Sequence, residues 1–101
     1  MTPSFQELII HDFEKLHLYT KAITRVHGHH HPEAFEVREL FKAIQEKLKD
    51  VQVHQADLNN EFRQLRTITK NYTIPNDVCK TYAATYQMLE RLDKAYQHKK
   101  Y

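Results

Sequence analysis

Between Glu33 and Ile74 the chain contains neither glycine nor proline, and an apolar stripe runs through this stretch at steps of four and three residues. Such spacing places the side chains on one face of an α-helix, so it favours helices and argues against a turn-rich β fold. The stripe consists of Val37, Phe41, Ile44, Leu48, Val51, Gln55, Leu58, Phe62, Leu65, Thr69 and Tyr72. With 101 residues, one glycine and three prolines, the chain is predicted to be a single all-α domain spanning residues 1–101.

The first predicted helix covers about residues 4–27. Ser4 and Glu7 have the Ser-x-x-Glu spacing of an N-terminal capping box. Gly28 is expected to end this helix, because glycine readily takes the left-handed conformation at a helix C-terminus. Pro32 suits the first turn of the next helix, where its missing N–H costs nothing. The predicted core stripe of the first helix is Ile9, Phe13, Leu16, Thr20 and Ile23.

The remaining helices are bounded by one clear break and one ambiguous one. Residues 71–76 form the clear break, and the last helix follows over about 76–99. The stretch 33–72 is either one long helix or two helices that meet at a turn near 57–60, where Asp and Asn favour turns. The last helix carries the stripe Val78, Tyr82, Thr85, Leu89, Leu92 and Tyr96.

Charge and hydropathy exclude several classes of partner. The formal net charge is +2 and the basic residues are interspersed with acidic ones, so we expect no nucleic-acid partner. The longest apolar run, Leu8–Ile10, is far too short to span a membrane, and residues 1–4 lack the pattern of a signal peptide. One cysteine, Cys79, forms no internal disulfide and suits a reducing compartment, which predicts a cytoplasmic protein.

Two stretches of the chain resemble a known family. Residues 23–33 read Ile-Thr-Arg-Val-His-Gly-His-His-His-Pro-Glu, similar to a Val-His-Gly…His-Pro-Glu junction between a first and a second helix. Residues 69–82 read Thr-Lys-Asn-Tyr-Thr-Ile-Pro-Asn-Asp-Val-Cys-Lys-Thr-Tyr, similar to a Thr-x-Asn-Tyr-x-x-Pro…Cys-x-Thr-Tyr junction before a last helix. Both junctions, in this order, are found in the hemerythrin-like domain of the iron–sulfur cluster repair proteins.

The resemblance implies an up-and-down four-helix bundle of hemerythrin-like type with a di-iron site in its core. It also implies a role in repairing iron–sulfur clusters after oxidative or nitrosative damage. In the family, histidines and carboxylates from all four helices hold the iron, and two helices carry His-x-x-x-Glu. Residues four apart lie on one helix face, so both side chains reach the same metal pair.

Most ligands of that di-iron site have no counterpart in this sequence. The histidine of the first helix falls near Gln6, the His-x-x-x-Glu of the second helix is absent, and the last histidine falls near Lys99 with no glutamate after it. The shortened interval between the two junctions accounts for the missing motif. We therefore expect no complete di-iron centre, and iron as the metal if one is bound.

His54 is the best surviving candidate for a ligand, since it resembles the histidine of the third helix. On a continuous helix Asp50, His54, Asp57 and Glu61 would line one side, and such ligands suit iron, manganese or zinc. That side lies roughly a quarter turn from the core stripe, so a solvated polar flank is the favoured alternative.

Two further features are candidates for metal binding or for thiol reactivity. The loop histidines His27, His29, His30 and His31 can bind nickel or zinc adventitiously, because neutral imidazoles are good ligands. Cys79 lies near the start of the last helix, where its thiol would be reactive; a small packed residue is the favoured alternative.

Two hypotheses for function remain open. The chain is either a hemerythrin-like metalloprotein of the cluster-repair kind, or a metal-free helical adaptor or homodimerisation module that acts by protein–protein contact. No nucleophile–base pair or phosphate loop supports independent catalysis. We also predict a homodimer, because a helix over 33–72 would leave apolar grooves that an antiparallel second copy could close. The alternative is a compact monomer with a tight turn near 57–60.

Overall fold

The computed structural model describes residues 3–49 and 55–99, and helices are the regular elements found there. In chain order they are α1 (Phe5–His27), α2 (Glu33–Lys49), α3 (Asn59–Ile68) and α4 (Lys80–Lys99). The predicted all-α class is confirmed. No helix in the described part of the chain is both long and apolar enough to cross a membrane.

Contacts between helices show that neighbours run in opposite directions. Near the middle of the bundle, Asp12 of α1 pairs with Arg91 of α4. At one end, Phe5 packs edge-on against Tyr96, with ring centroids 5.5 Å apart, while His27 packs against the first turn of α4 at the other end. Further contacts join the end of α1 to the start of α2, the end of α2 to the start of α3, and the start of α3 to the end of α4, so the architecture is an up-and-down helical bundle.

The apolar stripes of the middle stretch and of α4 form the core of this bundle, as predicted. In α1 the predicted Leu16 and Ile23 are buried, but Ile9 and Phe13 are only partly buried, and Phe5 and Leu8 are buried as well. In the middle stretch six residues are at most 1% exposed: Val37, Phe41, Ile44, Leu58, Phe62 and Leu65. In α4 the predicted Tyr82, Leu89 and Leu92 are equally buried. Gln55, which interrupts the middle stripe, is exposed, and Val51 lies outside the described residues.

The unbroken helix from Glu33 to Tyr72 is not observed, because residues 56–58 are not helical. The chain takes the other alternative, with α3 beginning at Asn59 inside the predicted 57–60 turn.

Three hydrogen bonds stabilise this link. The Asp57 carboxylate accepts the Asn59 N–H at 3.1 Å, and the Asp57 carbonyl accepts Lys47 Nζ at 3.0 Å. The buried Tyr96 hydroxyl accepts the Leu58 N–H at 2.8 Å. Since these contacts satisfy backbone groups that a helix would otherwise bond, the link needs neither glycine nor proline.

Both ends of α1 are as predicted, but the backbone conformation of Gly28, which follows its last residue, is not. Ser4 Oγ accepts the Glu7 N–H at 3.1 Å while Glu7 Oε1 accepts the Ser4 N–H at 2.9 Å, which is the capping box. Gly28, however, has φ −57° and ψ −33°, so the expected left-handed conformation is wrong. A Cβ at this position would lie 2.6 Å from Phe35 Cε2 and would also clash with the Thr24 carbonyl oxygen. Glycine is required here by close packing.

The chain leaves α3 through three residues in the left-handed region. Lys70, Asn71 and Tyr72 have φ of 53°, 58° and 62°, a conformation that is costly for residues with a Cβ. Thr69 Oγ1 accepts the Tyr72 N–H at 2.8 Å, and the Tyr72 hydroxyl donates to Asp93 at 2.7 Å. This turn is the predicted break, but α4 begins at Lys80, four residues later than expected.

Candidate functional site

The predicted ligand line of Asp50, His54, Asp57 and Glu61 is not assembled on one helix. Asp57 is exposed in the α2–α3 link and caps Asn59. Glu61 is 6% exposed, and its carboxylate lies 2.9 Å from Lys47 Nζ. Asp50 and His54 lie outside the described residues. The line required a continuous helix, and residues 56–58 interrupt it.

The buried carboxylates of the described chain are each matched by a cationic side chain. Asp12 is 3.3 Å from Arg91 Nη2, and Glu61 has its partner in Lys47. Both oxygens of Asp93 accept Arg66 Nη1 at 2.7 Å. A di-iron centre needs inward carboxylates whose charge is neutralised by the metal, whereas lysine or arginine already neutralises these.

Gln6, the counterpart of the first-helix histidine, and the histidines near the family ligand positions in α1 and α4 also face water. Gln6, His11, His17 and His98 are all exposed. Within residues 3–49 and 55–99 no group of three or more His, Cys, Asp or Glu side chains is arranged to hold a metal ion. These residues do not fit a di-iron centre.

The two junctions that carry the family resemblance meet at one end of the bundle, which we call the histidine end. It comprises His27, His31, Glu33, Asp77, Cys79, Tyr82 and Tyr86. His27 and Glu33 belong to the α1–α2 junction, whereas Asp77, Cys79 and Tyr82 belong to the α3–α4 junction. Residues that are far apart in sequence are therefore brought into contact here.

His31 lies at the centre of this end, between two carboxylates. Its Nδ1 is 3.0 Å from Glu33 Oε2, and its Nε2 is 2.9 Å from Asp77 Oδ1. Only the protonated imidazole can donate from both nitrogens, and the hydrogen bond to Glu33, followed by that to Asp77, raises the pKa of His31 above its ordinary value. When His31 is protonated, it forms a charged bridge between the α1–α2 loop and the α3–α4 loop.

His27 and Cys79 form a second contact between the junctions. His27 Nε2 lies 3.2 Å from Cys79 Sγ, and Cys79 is exposed. The Ala83 N–H bonds the Cys79 carbonyl at 3.2 Å, which places Cys79 at the N-terminus of α4. The favoured interpretation of Cys79 as a packed residue is wrong, since its side chain is open to solvent; its reactivity stays a prediction.

A buried tyrosine pair underlies these residues. The hydroxyls of Tyr82 and Tyr86 are 3.1 Å apart, and Tyr82 Oη is 3.5 Å from Glu33 Oε2. Burial raises the pKa of both phenols, so they remain neutral hydrogen-bonding groups at physiological pH. The Tyr82 ring also packs edge-on against His27 and His31, at centroid distances of 5.3 and 5.6 Å.

The four loop histidines do not converge on one point. His27 faces Cys79, and His31 uses both ring nitrogens on carboxylates. His29 and His30 are exposed and stack on each other, with centroids 4.5 Å apart. Adventitious metal binding by this loop stays a prediction.

Sequence reasoning missed the roles of Glu33, Asp77, Tyr82 and Tyr86. The signal for three of them was present, because Glu33, Asp77 and Tyr82 lie inside the two resembling junctions. Their contacts depend on the pairing of the two loops, which spacing along the chain does not reveal. No protein-family model matches the chain, and no solved structure matches it significantly.

Proposed function

We propose that this chain is a hemerythrin-like protein of the iron–sulfur cluster repair kind, with an incomplete metal site, which acts during oxidative or nitrosative damage in the cytoplasm. The observation that carries the proposal is the contact between the two resembling junctions. His31 of the first bonds Asp77 of the second at 2.9 Å, and His27 lies against Cys79. Matching motifs that also meet in space support a common origin better than either motif alone.

The mechanism we favour within this proposal is protein contact without a resident di-iron centre. The cationic partners of Asp12, Glu61 and Asp93 support it, because a carboxylate held by arginine or lysine is not free to ligate iron. The chain would then act as a metal-free adaptor for a client protein. A homodimer is a further form of this alternative, though it cannot use the long shared helix.

The proposal is tested by reactivating an iron–sulfur dehydratase that nitric oxide or peroxide has damaged. Purified chain, prepared without a His-affinity step, is added with ferrous iron and thiol, and enzyme activity is followed. We expect faster recovery than with an equal mass of serum albumin. Equal recovery in both samples would contradict the proposed function.

Metal analysis of the same preparation tests the incomplete site separately. We expect well under two iron atoms per chain. If one metal binds in the interior, His54→Ala should abolish that binding. Two iron atoms bridged by carboxylate would refute the incomplete site and favour the metalloprotein alternative.

A further inference from the structure

A shallow groove of about 520 Å³ lies between α1 and α2. We call it the α1–α2 groove; it is lined by Lys21, Thr24, Arg25, His29, Phe35 and Arg38. Phe35 is 53% exposed, which is unusual for so large an apolar side chain. The groove therefore combines an apolar surface with a positively charged border and has no carboxylate in its lining.

Within residues 3–49 and 55–99, the cations of this groove have no acidic partner. Lys21 and Arg25 are one helical turn apart on α1, and both are exposed. Neither they nor Arg38 forms an ion pair with a carboxylate of the described residues. Elsewhere many basic side chains do have such partners: Lys42, Lys47, Lys49, Arg66, Arg91 and Lys94.

Arg38 is the most informative of the three. It is half-buried, and its Nη1 donates to the His17 carbonyl and to Thr20 Oγ1, each at 3.2 Å. Both acceptors are neutral, so the guanidinium is held in place while its charge is left uncompensated. A planar guanidinium with further N–H donors matches the geometry of a carboxylate.

We propose that the α1–α2 groove docks an acidic segment of a partner protein. Carboxylates of that segment pair with Arg38 and Arg25, and an apolar side chain covers Phe35. Charge complementarity selects this occupant, because a basic border around an apolar centre excludes basic segments and leaves a purely apolar segment with unmatched charges. The inference rests on the proposed function, under which the chain acts by contact with a client protein. It adds that the contacting segment of this protein is acidic.

A fluorescein-labelled peptide of alternating glutamate and leucine is the probe, and its affinity is measured by fluorescence anisotropy. We expect binding that weakens as salt rises, because exposed charges are screened over about 10 Å at 0.1 M salt. The matching lysine–leucine peptide should not bind. Equal binding of both peptides would overturn the proposal.

Charge reversal at the groove is compared with the same reversal elsewhere. Lys21→Glu with Arg25→Glu should weaken peptide binding by about tenfold or more, the effect of losing one or two charge-assisted contacts. Lys15→Glu with Lys80→Glu changes the net charge equally at exposed positions outside the groove that form no ion pair with the described carboxylates, and it should change affinity by less than about twofold. Equal losses in the two variants would mean that only net charge matters and would overturn the site.

Two further measurements test where on the protein the peptide binds and whether the partner is a protein or a nucleic acid. Amide chemical-shift changes on adding the peptide should concentrate in residues 20–39, and a map centred on α3 or α4 would overturn the groove. A single-stranded oligonucleotide that binds more tightly than the peptide would overturn the assignment to a protein. Peptide binding without cluster recovery would refute only the proposed function, whereas recovery without peptide binding would refute only this inference.

Discussion

The His31 bridge makes the stability of the histidine end depend on pH. Its folded-state pKa is raised above the ordinary value of about 6.5 by hydrogen bonds to Glu33 and Asp77. A raised pKa means that the bridge contributes its full stability below about pH 6.5 and loses it as pH rises through the folded-state pKa. The rings of Tyr82 and His27 also contact His31, but neither side chain carries a carboxylate that could take part in the bridge.

We therefore predict that His31→Gln narrows the stability difference between acidic and alkaline pH. Unfolding by urea, followed by circular dichroism, is measured at about pH 5.5 and about pH 9 for both proteins. At the lower pH the wild type should be more stable than His31→Gln, and this difference between the two proteins should shrink at the higher pH. Asp77→Asn removes one carboxylate and should show the same trend to a smaller extent. Parallel pH profiles for wild type and His31→Gln would contradict the bridge.

Gly28 gives a second prediction at this scale. Its right-handed backbone would accept alanine without strain, but the added methyl would meet Phe35 and the Thr24 carbonyl. Overpacking of this kind costs about 1–3 kcal/mol, so Gly28→Ala should lower the free energy of unfolding by that amount. Phe35→Ala in the same chain should restore part of the loss, because it removes one of the two obstacles. A stabilised Gly28→Ala protein would show that the close contact does not exist.

At the scale of the helices, the buried phenylalanines should dominate stability. Phe41 and Phe62 are 0% exposed, and truncation to alanine should cost about 3–5 kcal/mol at each. Phe35→Ala is the matched control: because Phe35 is 53% exposed, the same change should cost about 1 kcal/mol or less. Chemical denaturation measures all three. Losses below about 1 kcal/mol at both Phe41 and Phe62 would mean that the stripe is not the core.

Helices and core could be predicted because each depends on local pattern. The stripe steps that place Phe41, Phe62 and Leu89 each on the buried face of its own helix are visible in the sequence, and so is the capping box at Ser4. The position of the α2–α3 link was less certain, because the contacts that stabilise it come from Lys47 and from the distant α4.

The candidate site was harder to predict than the helices. His31 and Asp77 are 46 residues apart, and nothing in either junction alone indicates that they pair. The role of Gly28 was misjudged for a similar reason, since the side chain that requires a glycine belongs to the next helix. Ligands inferred for His54 and its neighbours assumed a helix that the link interrupts.

For the whole molecule, the break between α2 and α3 changes what is expected of assembly. A helix over 33–72 would be about 60 Å long at 1.5 Å per residue, whereas the longest dimension of the bundle is 37 Å. The radius of gyration, 13.0 Å, is close to the value of about 13 Å for a compact chain of this length. One copy thus buries both halves of the stripe.

We accordingly expect a monomer of 12.2 kDa in sedimentation at micromolar concentration. The predicted homodimer remains testable by the same measurement. A species of twice that mass would mean that two chains associate through a surface other than a long shared helix. Repeating the measurement with the Lys21→Glu, Arg25→Glu protein would then show whether the α1–α2 groove is that surface.

The bond between Tyr96 and the Leu58 amide has a consequence for the order in which the chain folds. Its two partners are 38 residues apart, so the first turn of α3 is completed by a hydroxyl that leaves the ribosome much later. The α1–α2 hairpin can pair while the rest of the chain is still being made, but α3 has to wait for α4 before its start is fixed. In hydrogen exchange on chains stalled at successive lengths during synthesis, the Leu58 amide should therefore become protected only after α4 has emerged, and later than the amides of α2.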